Sequence, residues 1–141
     1  MLPSNTPDNE RGSATIEFLV AGLLLLVPIM YLVIALGMVQ NASLGAEATA
    51  RFVARTMATG STVPPDAIRD MIADTYGLDP TSLDVRAECV PATTECPAAG
   101  STLIVTVDTT VTLPLMPRIF DSHLGVPVTG SASYRVERLA S

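Results

Sequence analysis

The chain has no lysine, no tryptophan and a single histidine, and its three Tyr and three Phe make up 4% of 141 residues. Without lysine it lacks a Walker-type phosphate grip, and no glycine-rich loop stands in for one. So few aromatics exclude base-stacking platforms and aromatic carbohydrate grooves. Cationic charge is scarce too: eight Arg face fourteen Asp and Glu, a net charge of −6 and a pI near 4.5. No basic patch remains to displace counterions from phosphates, so nucleic acid is not an expected partner.

Cysteine is limited to Cys89 and Cys96, separated by Val-Pro-Ala-Thr-Thr-Glu. Structural zinc needs four ligands at short spacings, and two Cys with His123 fall short. The two-residue spacing of a redox pair is absent. A structural disulfide is the expected state, which belongs to an oxidising, extracytoplasmic compartment. Closing a loop of this length contributes about 2.5 kcal/mol on the chain-entropy estimate. His123 has Asp121 two residues before it and Ser122 between them, but no nucleophile-elbow glycines accompany the set. It reads as a solvated loop. Asp66, Asp70 and Asp74 recur every four residues, the pattern of a helix face turned to water, with a calcium contact as the alternative. No catalytic, metal or cofactor site is expected, and the chain reads as a non-enzyme.

The longest absence is of charge itself. Between Glu17 and Glu47 there is no Asp, Glu, Arg, Lys or His. Phe18 to Val39 is almost wholly Phe, Leu, Val, Ile, Met and Ala, and as a helix would span about 33 Å, near the roughly 30 Å of a bilayer core. A membrane span is predicted. A secretory signal peptide is the rival, with Ala48-Thr49-Ala50 as its cleavage site. The apolar run exceeds an ordinary h-region, and the preceding segment carries Asp8 and Glu10 against Arg11.

Beyond the apolar run, strong helix formers continue to Ala58, so one helix is expected from about Ser13 to Ala58, with Pro28 kinking it. In its second half Leu44, Ala48 and Phe52 form a stripe, with Val53 and Met57 beside it. Glu47, Arg51 and Arg55 follow at steps of four. Gly60, Pro64 and Pro65 end the helix. A short helix, Asp66 to Tyr76, should bury Ile68, Met71, Ile72 and Tyr76 and close on Gly77. After a turn at Asp79-Pro80-Thr81-Ser82, three stretches alternate with period two. Leu83, Val85, Ala87 and Cys89 line one face of the first. Leu103, Val105, Val107, Val111 and Leu113 do so in the second, and Val128, Ala132, Tyr134 and Val136 in the third. That pattern predicts an antiparallel sheet covered on one side, with the amphipathic half of the long helix as its cover. The fold class is α+β. Residues 1–12 form a cytoplasmic leader, 13–58 a transmembrane and extended helix, and 59–141 a small extracytoplasmic domain.

At the head of the apolar run, Gly12-Ser13-Ala14-Thr15-Ile16-Glu17-Phe18 places a glycine bond just before the helix and a carboxylate one turn inside it. The helix dipole favours an acid there by a few tenths of a kcal/mol, whereas a charge at mid-bilayer costs about 2.5–3.5 kcal/mol. A neighbouring helix offering its amine would relieve that cost. Glu17 as a mere marker of the aqueous edge is the plainer alternative.

Arg11 to Val20, the leucine run Leu23 to Leu26, Pro28 and the Ala-rich exit from Gly45 to Arg51 resemble the TadE-like pseudopilins. These belong to the tight-adherence (Flp-type) pilus machinery, within the type IV pilin group. The resemblance covers about Arg11 to Arg55. It implies a pilin-like fold with the leader inside and the domain outside, and a minor-pilin role in assembling or anchoring a pilus or secretion apparatus. It also implies cleavage by a prepilin peptidase between Gly12 and Ser13, with Glu17 and Phe18 as assembly residues. Partners would be other pilin subunits, the inner-membrane assembly platform and membrane lipid. The leader departs from the family pattern in having one basic residue, Arg11, against two acids. A membrane-anchored extracytoplasmic binding module without a pilus role is the alternative.

Overall fold

The computed structural model describes residues 13–114 and 125–137. The expectations for residues 1–12, including the Gly12 cut site, and for Asp121, Ser122 and His123 lie outside them. The layout is α+β: a long helix α1 (Ser13–Ala58), a short helix α2 (Pro65–Tyr76), a single 3-10 turn (Pro80–Ser82) and strands β1 (Asp84–Val90), β2 (Thr102–Val111) and β3 (Val126–Arg135). The chain divides into two units, the first ending at Leu36 and the second beginning at Gly37.

In the second unit the connections follow local chemistry. Pro65 occupies the first turn of α2, where its missing N–H costs nothing. Gly77 ends that helix in the left-handed region, φ 62° and ψ 36°. The next amide, Leu78 N–H, donates to the Ala73 carbonyl at 2.8 Å. Such a closure satisfies carbonyls that the helix end would otherwise leave unpaired. Asp79 starts the 3-10 turn by accepting from the side chain and backbone of Thr81, and these bonds hold its carboxyl below its usual value.

The sheet has the order β1-β2-β3 with both pairings antiparallel. The register sets Val85 opposite Val107 and Cys89 opposite Leu103 on one side of β2. On the other side Val107 faces Gly130 and Val105 faces Ala132. Leu103, Val105 and Val107 are fully buried, as period two requires of an inward face. Thr109 also points inward, and its hydroxyl lies 3.2 Å from that of Ser82. On the outward face Asp84 stands directly opposite Asp108. Like charges so placed repel, and Arg86 compensates by reaching Asp84 at 2.8 Å and Asp108 at 3.1 Å. The same two carboxylates, Asp84 first, raise the pKa of the Arg86 guanidinium.

The second half of α1 joins this core, with the expected Val53 in it, but the expected Leu44 and Phe52 lie outside the contact. The buried residues are Ala42, Ala46, Thr49, Ala50, Val53 and Ala54, whereas Leu44 and Phe52 remain 57% and 51% exposed. Ala48 and Met57 are partly buried against the core. The reason is steric: a Cβ built on Gly130 would meet the Ala46 and Glu47 backbone, so helix and sheet approach too closely for large side chains between them. Thr49 fits because its hydroxyl donates to the Gly45 carbonyl within the helix, at 2.8 Å. Two smaller expectations are corrected in the same way. Met71 turns outward while Ala73 is buried beside Ile68 and Ile72, and Ala87 is exposed on β1.

Neighbouring substitutions should therefore differ. Val53→Ala removes a fully buried side chain and is expected to cost about 2 kcal/mol. Phe52→Ala, although larger, should stay within about 1 kcal/mol. Chemical denaturation of the two variants in detergent checks the order, and a reversed order would contradict the helix orientation.

A disulfide joins Cys89, on β1, to Cys96 in the β1–β2 connection. The double variant Cys89→Ser/Cys96→Ser should lose about 2.5 kcal/mol, read as a lower denaturation midpoint. Reductant should produce the same loss in the parent and none in the variant.

Candidate functional site: a charge-free helix behind one carboxylate

Ser13 opens α1, and Glu17 and Phe18 follow within its first turns. From there the helix continues unbroken through Pro28. Leucine, methionine and alanine favour it strongly. Every side chain from Ala14 to Met30 is exposed, with Phe18 at 76% and Leu24 at 71%. Exposed apolar patches on soluble monomers are far smaller, and larger ones mark contact with lipid or protein. This helix is long and apolar enough to span a membrane, which is consistent with a single-pass anchor.

Glu17 is the one charge described on the first unit, and it stands at the start of the apolar surface. Two glycines on α1 add a second feature. A Cβ at Gly22 or at Gly37 would meet nothing within 4 Å. Each glycine weakens a helix by about 1 kcal/mol relative to alanine. Neither is required by packing among the described residues.

Elsewhere the chemistry is sparse. Among the described residues no three His, Cys, Asp or Glu side chains converge as metal ligands. Two of the three acids of α2 are held by their own helix: Arg69 reaches Asp66 at 3.2 Å and Asp70 at 2.9 Å. Ala48-Thr49-Ala50, the candidate signal-peptidase site, lies inside α1, with Thr49 and Ala50 fully buried. A cut after Ala50 would strip Ala42, Ala46, Thr49 and Ala50 from the core. A surface cavity of about 560 Å³ is lined by Met57, Pro97, Ala99, Tyr134, Val136 and Glu137, among others. Its lining includes no imidazole or thiol. No protein-family model, curated protein or solved structure matches this chain.

Of the residues singled out from sequence, Ser13, Glu17 and Phe18 fall together at the head of α1, and Cys89 and Cys96 are bonded within the other unit. Sequence reasoning missed the cavity, whose lining comes from stretches remote in sequence. It also missed Gly130. The one available signal was a glycine at an inward position, between Val128 and Ala132.

Proposed function

We propose that this chain is a single-pass membrane protein of the TadE-like kind, a minor pilin or pseudopilin that assembles or anchors a Flp-type pilus or a related secretion apparatus. The observation that carries the reading is the exposed, charge-free helix surface from Phe18 to Met30, headed by Glu17. The apolar half of α1 lies in the lipid. Residues 1–12 face the cytoplasm and the domain from residue 59 onward faces outside, where the Cys89–Cys96 disulfide is stable. The orientation rests on that disulfide, because arginine count does not support it: Arg11 lies on one side, Arg51 and Arg55 on the other.

Within the membrane Glu17 is satisfied by a cation or donor of a neighbouring subunit. Gly22, with open space where a side chain would stand, lets another helix approach closely. Processing by a prepilin peptidase between Gly12 and Ser13 would supply the amine, and the assembly platform and sister pilins are the partners. The protein acts by packing and carries out no reaction.

Glu17→Ala is the direct test. Pilus assembly or secretion is expected to fall to background, while the variant stays membrane-bound with an unchanged domain melting temperature. Normal fibres from this variant would sink the pilin reading. A second reading, an anchored binding module, is favoured by the cavity beside Tyr134. Under that reading Glu17→Ala is silent and Tyr134→Ala abolishes function. The intact mass of the mature protein reports separately on processing, since a chain starting at Ser13 requires the cut after Gly12.

A further inference from the structure

We draw no further inference here: the strongest candidate, the outward pair Leu44 and Phe52 of α1 on the turns that carry Arg51 and Arg55, is a small unpartnered apolar face, and nothing in the structure shows what covers it.

Discussion

Gly130→Val is expected to unfold the second unit or to lower its melting temperature by more than 10 °C. A Cβ at this position would lie 2.5 Å from the carbonyl carbon of Ala46, 2.5 Å from the Glu47 nitrogen and 2.8 Å from the Ala46 oxygen. All three atoms are backbone, so no rotamer change can make room. Either α1 lifts from the sheet or β3 bows away, and both outcomes open the core around Ala46, Val105 and Val107. Overpacking costs about 1–3 kcal/mol where side chains can adjust, and here the cost should reach the top of that range or pass it. In a domain of this size each kcal/mol shifts the midpoint by about 4–8 °C. Gly45→Ala is the control. Its added methyl would lie 2.5 Å from Leu78 Cδ1, the end of a flexible side chain, and alanine improves the helix. Circular dichroism melts in detergent should show near-parental behaviour for Gly45→Ala and collapse for Gly130→Val. Equal midpoints would mean that α1 does not rest on β3.

The second large effect concerns the membrane. Leu25 and Leu32 are both exposed near the middle of the apolar stretch, at 64% and 56%. Replacing both by arginine should cost about 5–7 kcal/mol of insertion free energy, taking about 2.5–3.5 kcal/mol for each charge at a helix centre. At 1.4 kcal/mol per tenfold, even the lower figure moves the membrane-to-water ratio by more than a thousandfold. The double variant should leave the carbonate-resistant membrane fraction almost entirely. Retention there would show that this helix is held by something other than lipid. Leu44→Arg, made on the second unit, should fractionate as the parent does.

Much of this architecture could be read from residue order. Long-range absence of charge marked α1, three alternating stretches marked the sheet, and Gly77 marked the end of α2. The disulfide followed from having two cysteines and no better use for them. The helix face that meets the sheet could be read only in part, at Val53, Ala48 and Met57. Hydrophobic patterning gives weight to large side chains, so Leu44 and Phe52 looked like the buried stripe. The true contact uses Ala42, Ala46 and Ala50, because Gly130 admits the helix backbone itself. Such a contact depends on residues distant in sequence, and no local periodicity encodes it. For the candidate site the position was legible, since Glu17 stands alone ahead of an apolar run. The open space around Gly22 required coordinates, as glycine in a helix is equally compatible with a tight internal contact.

The alanine face of α1 limits how the folded head can be produced without detergent. Trimming the chain at the last obvious hydrophobic residue, near Val39, leaves every alanine that roofs the sheet in place. Trimming past Ala50, at the first arginines after the apolar run, would instead expose Leu103, Val105 and Val107 to water and yield an aggregating fragment. A usable soluble version therefore begins between Gly37 and Ala42, where the chain passes into its second unit.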